Sequence, residues 1–180
     1  MKLEDLLSIK NEKQFKTFCE DYLTVLGQGS SRKVYRLNSK QVIKVAIDDK
    51  GYVQNESECN VFNAYSESKL FTKIIRNAEN YLWVIQPLAI PLNNENEHLF
   101  KEIFNVEFSE MSNMLKHLEQ KIEYKTDNEF LTKFRDFLIE VDWQFLSDFA
   151  KHDSWGINNE IIQIIDYGMN NEAFQEYYKN

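Results

Sequence analysis

Leu26-Gly27-Gln28-Gly29-Ser30-Ser31-Arg32-Lys33-Val34-Tyr35 sets a tight polar turn between two runs rich in β-branched and aromatic residues. Leu23 to Leu26 reads as a strand, Gly27 to Ser31 as the turn, and Lys33 to Leu37 as a second strand. Asn38-Ser39-Lys40 turns the chain again, and Gln41 to Ile47 makes a third. Short strands joined by turn-length loops give an antiparallel meander.

Upstream of the meander, Asn11 can cap a helix, with Gln14 as its capping-box partner. Phe15, Phe18, Cys19 and Tyr22 then recur at helical spacing. Downstream, Gln54 to Tyr65 reads as a helix with Glu58, Val61, Phe62 and Tyr65 along one face. Phe71 to Arg76 and Tyr81 to Gln86 flank Asn77-Ala78-Glu79-Asn80 as a further hairpin, which brings the sheet to five strands. Pro87 and Pro91 break regular structure, so Gln86 to Leu92 reads as a connector. Beyond it, Leu99 to Phe104, Phe108 to Ile122 and Asn128 to Val141 read as helices. A loop, Ser147 to Gly156, and a strand, Glu160 to Ile165, lead to Asp166-Tyr167-Gly168. A short helix is expected over Ala173 to Tyr178.

The 180 residues are 43% apolar and 14% aromatic, enough to bury a core. A formal net charge of −8, from 29 acidic and 21 basic residues, argues against nucleic acid as a ligand. No apolar run approaches the roughly 20 residues of a membrane span. Residues 1–14 lack the apolar core of a signal peptide, so the expected compartment is the cytoplasm. Cys19 and Cys59 have neither metal-ligand spacing nor a disulfide framework, and read as reduced thiols. His98, His117 and His152 have no ligand spacing either, and His152 reads as a solvated loop histidine.

Four features carry candidate chemistry. Gly27 and Gly29 let backbone come close to a phosphate, although a hairpin turn alone tolerates the same residues. Lys44 stands in the otherwise apolar run Val42-Ile43-Lys44-Val45-Ala46, where an ammonium group calls for an anion. A lysine on the solvated face of an edge strand is the plain alternative. Glu58, on the following helix, is placed to pair with Lys44, with Glu56 as its nearest rival. Asp166 ends an apolar strand, a suitable place for a Mg²⁺ ligand, and Asp148 lies in the loop before it.

Taken together these residues resemble the protein-kinase fold, and specifically the compact kinase-like proteins of bacteria and their phages. The stretch Leu26 to Tyr35 is similar to the group's glycine-rich loop. Val42 to Ala46 is similar to its strand-lysine motif, and Gly51-Tyr52-Val53-Gln54-Asn55-Glu56-Ser57-Glu58 to the segment ending in the paired glutamate. Asp148 matches the catalytic-loop aspartate, and Asp166-Tyr167-Gly168 the metal-binding triplet, 18 residues further on (148 to 166). The resemblance implies an α+β, two-lobed protein-kinase-like fold with a five-stranded antiparallel N-lobe sheet and a truncated helical C-lobe. Its implied divisions are a helical extension over 1–22, the N-lobe over 23–91 and the C-lobe over 92–180. It also implies ATP and Mg²⁺ between the lobes. Gly27, Gly29, Ser30, Ser31, Arg32, Val34, Lys44, Glu58 and Gln86 would bind the nucleotide, Asp153 and Asp166 the metal, and Asp148 with Lys44 would act in catalysis.

The chain departs from the family in places. Arg32 replaces the third glycine of the loop and is expected to bring positive charge near the phosphates. Leu146 and Ser147 stand where kinases place His-Arg. Asp153 occupies the position of the metal-binding asparagine. A rival register makes Asp153 the catalytic residue and Asn158 the metal ligand, but leaves only 13 residues (153 to 166) before the triplet. Twelve residues (169–180) follow Gly168, so no activation segment or peptide-seating helices are expected.

Three functions follow: an ATP-dependent phosphotransferase with unknown acceptor, a pseudokinase that acts by binding a protein, or a phage-type inhibitor displaying an acidic surface. A protein partner or self-association is expected at an apolar surface built from Trp143, Phe145, Phe149, Phe174, Tyr177 and Tyr178. Neither nucleic acid nor a membrane is expected as a partner.

Overall fold

The computed structural model describes residues 3–140 and 146–168, and these form two compact units. The first comprises the described residues of Met1–Ala64 together with Thr72–Leu88. The second comprises those of Tyr65–Phe71 and Ala89–Asn180. The expected helix over Ala173 to Tyr178 lies outside the described residues.

In the first unit, helices α1 (Leu3–Leu7) and α2 (Glu12–Tyr22) precede the meander β1 (Thr24–Gln28), β2 (Arg32–Arg36) and β3 (Gln41–Ala46). Helix α3 (Asp49–Tyr65) follows, then β4 (Arg76–Asn77) and β5 (Trp83–Pro87). The sheet is antiparallel throughout, in the order β1-β2-β3-β5-β4, so the five strands expected from the sequence are present. Asn11 caps α2 as expected, its Oδ1 accepting from the Gln14 N–H at 3.0 Å.

The apolar faces of α1 and α2 complete the sheet's own core. Leu6, Phe15 and Cys19 are buried with Tyr35, Ile43, Val45, Leu82, Trp83 and Ile85, and the Phe15 and Trp83 rings stack 6.3 Å apart. Tyr22, placed on that face by its spacing, is 70% exposed. The fourth strand is also shorter than its apolar run suggests. Phe71 belongs to the second unit, where it bridges Ile164, its ring against Phe137 and Tyr167 at 5.8 and 4.8 Å.

Helix α3 begins five residues earlier than the sequence reading placed it. Gly51 sits in its first turn, where nothing larger fits. An added Cβ would lie 2.2 Å from the Ser31 carbonyl oxygen and 2.9 Å from Ala46. The missing side chain brings α3 hard against the β2–β3 pair, and that close approach aims Glu58 at Lys44.

The second unit contains β6 (Ile90–Pro91), α4 (His98–Phe104), α5 (Phe108–Glu119), α6 (Glu129–Glu140), α7 (Leu146–Phe149), β7 (Trp155–Asn158) and β8 (Ile161–Ile164). Strands β6, β7 and β8 form a small antiparallel sheet; β6 and β7 carry too little apolar alternation to be seen in the sequence. The Asn159-Glu160 turn of the β7–β8 hairpin has both residues left-handed, at φ 49° and 65°, as a two-residue turn between twisted strands requires. The core is aromatic: Phe100 packs against Phe104, Phe108, Phe130 and Trp155 at 4.8 to 5.7 Å. Among the described residues, no helix is long and apolar enough to cross a membrane.

Candidate functional site

Lys44 lies on the central strand β3, opposite Val34 of β2 and Val84 of β5. It is 6% exposed, so the edge-strand alternative does not describe it. Its ammonium donates to both oxygens of Glu58, at 2.7 and 3.0 Å, and Glu58 itself is fully buried. Glu56 is exposed, which settles the choice between the two glutamates.

Two further side chains meet the same carboxylate. Arg32 Nη1 lies 2.9 Å from Glu58 Oε1, and Gln86 Nε2 donates to Glu58 Oε2 at 3.0 Å. Both were expected at the ligand, and here both meet Glu58. The Arg32 guanidinium is turned inward, also reaching Asn55 Oδ1 at 3.3 Å, and Gln86 is 1% exposed. Asn55, which the sequence reading passed over, donates onward to the Tyr81 carbonyl at 2.9 Å. Asn55 is fully buried, and its partners lie 23 or more residues away in sequence, so no local pattern marks it.

The turn between β1 and β2 is closed by the Gly29 N–H donating to the Arg32 carbonyl at 2.9 Å. The Ser30 and Ser31 hydroxyls lie 3.4 Å apart, with Ser31 buried and Ser30 exposed. Neither glycine is demanded by the fold. A Cβ on Gly27 would meet nothing within 4 Å, one on Gly29 only a carbonyl at 3.9 Å, and no described glycine has positive φ.

In the second unit, Asp148 belongs to the short helix α7, and Asp153 to a 3₁₀ turn, His152–Ser154, that runs into β7. The Trp155 indole N–H donates to the Phe149 carbonyl at 2.7 Å, tying the loop to the aromatic core. Phe149 is 1% exposed within that core, so it is not part of an apolar surface. Trp143, Phe145, Phe174, Tyr177 and Tyr178 lie outside the described residues.

Asp166 follows β8 at the hairpin's open end. The N–H groups of Ile165 and Asp166 both point to the Ser154 carbonyl, at 2.8 and 3.3 Å. Asp153 adjoins Ser154 and so flanks Asp166, whereas Asn158 sits four residues beyond Ser154, about 13 Å along the strand, at the hairpin's closed end. Asp153 and Asp166 are exposed.

Lys151 stands among these carboxylates, its ammonium 2.5 Å from Asp148 Oδ1. That hydrogen bond raises the Lys151 pKa most; burial opposes the rise, and the charges of Asp148, Asp153 and Asp166 add to it. The three aspartates singled out by the sequence therefore act on one cation. Among the described residues no group of three or more His, Cys, Asp or Glu side chains is arranged to hold a metal. Mg²⁺ asks for less, since it takes one or two carboxylates and completes its shell with phosphate and water. His152 is not simply solvated: its ring stacks on Phe108 at 4.2 Å and its Nε2 lies 2.7 Å from Glu97 Oε2.

No protein-family model matches the chain, and no curated protein matches its sequence. Solved structures do align with it. The streptomycin–ATP–APH(2")-IIa ternary complex matches at 13% identity and a TM-score of 0.44, over 89% of this chain and 71% of that one. Choline kinase LicA from Streptococcus pneumoniae matches at 15% identity and a TM-score of 0.41, over 86% and 67%. SAICAR-synthase from Saccharomyces cerevisiae, complexed with SAICAR, matches at 10% identity and a TM-score of 0.31, over 48% and 43%.

Proposed function

We propose that this chain binds a magnesium-bound nucleoside triphosphate and transfers its terminal phosphoryl group to an acceptor hydroxyl. The observation that carries this reading is the buried Lys44–Glu58 pair. A core ion pair is weak evidence for stability, because desolvation offsets most of its attraction. Its presence on the central strand of a small sheet is better explained by a task for the ammonium group.

Each remaining part fits that task. Lys44 would donate to phosphate oxygens while Glu58 fixes its direction. The β1–β2 turn has two glycines that folding does not require, which leaves space for a phosphate to lie against the backbone. Asp153 and Asp166, at one end of the β7–β8 hairpin, offer oxygen ligands suited to Mg²⁺, which when bound supplies charge neutralisation on the phosphates. Asp148 would accept the proton of the attacking hydroxyl. Lys151, held on Asp148, can donate to the phosphoryl oxygens as negative charge builds there.

The same Asp148–Lys151 pair favours a second reading, a nucleotide-dependent binding module, because an ammonium group on the carboxylate opposes its use as a base. Two measurements separate these readings. Saturating Mg-ATP, at about 100 times Kd, should stabilise the fold by about 2.7 kcal/mol and raise the melting temperature by roughly 5–10 °C. Lys44→Ala and Asp166→Ala should each remove most of that shift. With γ-labelled ATP, loss of the terminal phosphate that disappears in Asp166→Ala supports transfer; a melting shift without turnover supports the binding module. An unchanged melting temperature with ATP, ADP and GTP, with and without Mg²⁺, defeats both.

A further inference from the structure

Each oxygen of Glu58 is held twice, once by Lys44 and once by another residue. Oε1 receives Lys44 at 2.7 Å and Arg32 at 2.9 Å; Oε2 receives Lys44 at 3.0 Å and Gln86 at 3.0 Å. The second set does not depend on Lys44 for its own placement. Arg32 opens β2, where it pairs with Ala46 of β3, and its planar fork serves Glu58 and Asn55 together. Asn55 in turn is tied to the Tyr81 carbonyl of the β4–β5 turn, and Gln86 is fixed in β5 opposite Val42.

We infer that Arg32 is a positioning residue that holds Glu58 independently of Lys44. An ammonium group has three N–H donors, so Lys44 can keep Glu58 and still reach a phosphate, provided that Glu58 stays in place. Arg32 and Gln86 tie both carboxylate oxygens to β2 and β5, so Glu58 holds its position when Lys44 shares its donors with a phosphate. The reach to phosphate rests on the function proposed above; the independent hold on Glu58 does not. The arginine that replaces the third glycine of the loop thus serves the glutamate rather than the phosphates.

The test is a double-mutant cycle in urea, without nucleotide, on Arg32→Met, Lys44→Met and the double variant. Methionine keeps most of each side chain's apolar stem and removes its charge. Each single variant leaves Glu58 one cation and the Gln86 amide, so each should lower the folding equilibrium modestly. The double variant loses both cations, and should fall about tenfold or more below the product of the singles. Adding Glu58→Gln to the double variant should return most of that excess loss, because a neutral amide does not require a cation. Singles that combine to within about twofold overturn the inference. If the double variant does not fold, the triple variant decides: recovered folding supports the inference, and continued failure overturns it. With nucleotide, Arg32→Met should weaken Mg-ATP binding by about tenfold, since Glu58, and Lys44 with it, is then less firmly placed and the competent state becomes a minority. A wild-type protein that ignores ATP defeats the proposed function, while the urea cycle still judges the hold on Glu58 by itself.

Discussion

Glu58 and the three aspartates 148, 153 and 166 are all carboxylates assigned to one reaction, yet they live in opposite environments. Glu58 is fully buried, with Lys44, Arg32 and Gln86 on its oxygens. Asp153 and Asp166 are exposed, and the Asp148 side chain is 30% exposed beside Lys151. A buried carboxylate must have its partners in the resting protein, because no water is at hand to replace them. A solvated one shares its stabilisation with water and can exchange partners at little cost. The glutamate is therefore a fixed part of the architecture, whereas the roles proposed for the aspartates are taken up on ligand binding. The comparison makes graded predictions for stability.

The largest effect belongs to Glu58→Ala. It leaves Lys44 and Arg32 buried without the carboxylate they share, and a broken buried pair costs about 3–5 kcal/mol. For a chain of this size the melting temperature should fall by roughly 6–20 °C. Asp148→Ala removes only a partly solvated ion pair and should cost no more than about 1 kcal/mol. Equal losses in urea denaturation of the two variants would erase the distinction drawn here.

Next comes Gly51→Ala. The new Cβ would sit 2.2 Å from the Ser31 carbonyl oxygen, so α3 must retreat from β3, at about 1–3 kcal/mol. The retreat would also pull Glu58 away from Lys44, so the nucleotide response should weaken. Gly27→Ala and Gly29→Ala reverse this pattern: stability should hold to within about 0.5 kcal/mol while the nucleotide response falls. A Gly27→Ala protein that melts normally and responds fully to Mg-ATP would remove the turn from the site.

These contrasts also explain what was legible in the sequence. The meander, the Asn11 cap, the Lys44–Glu58 pair and the position of Asp166 follow from local rules: alternation, capping, and a lone charge in an apolar strand. The roles of Arg32, Gln86 and Asn55 do not, because each depends on which side chains the sheet and α3 bring together across 20 or more residues. The start of α3 at Asp49 was hidden for a related reason: only the neighbouring backbone reveals that Gly51 marks a close approach. Phe149 reads as exposed beside a polar loop, and only packing with Phe134 and Trp155 shows that it is core.

A separate effect appears at alkaline pH. Burial pushes the Cys19 thiol up to about 12 and the Cys59 thiol up to about 11, from an ordinary value near 9.0. Burial also raises Tyr35 and Tyr52. Above pH 9 the unfolded chain releases thiol protons that the folded chain retains, so the unfolded state binds fewer protons and stability falls as pH rises. Each thiol contributes a slope of up to about 1.4 kcal/mol per pH unit between its two values. The contribution is intact below pH 9 and lost as pH passes 11 to 12. Urea midpoints measured from pH 8 to 10.5 should decline, and Cys59→Ala with Cys19→Ala should flatten the slope. A flat wild-type profile would mean that the thiols are solvated.

The smallest change in stability is expected where the register of the second unit is tested. Asp153 is exposed on a 3₁₀ turn and Asn158 closes the β7–β8 hairpin, so Asp153→Ala and Asn158→Ala should each shift stability by about 0.5 kcal/mol or less. Their effects on ligand should nevertheless diverge. Asp153 flanks the Ser154 carbonyl to which the Asp166 N–H points, and a carboxylate there can share a cation with Asp166. Asn158 lies about 13 Å from Ser154 along the strand, beyond reach of an ion held at Asp166. Titrating Mg²⁺ at fixed ATP and following the melting temperature reads the difference directly. Asp153→Ala should require several-fold more Mg²⁺ for half the shift, Asp153→Asn should recover part of it, and Asn158→Ala should behave as wild type. If Asn158→Ala instead raised the Mg²⁺ requirement while Asp153→Ala left it unchanged, the rival register would be correct and the hairpin would close around the metal from its other end.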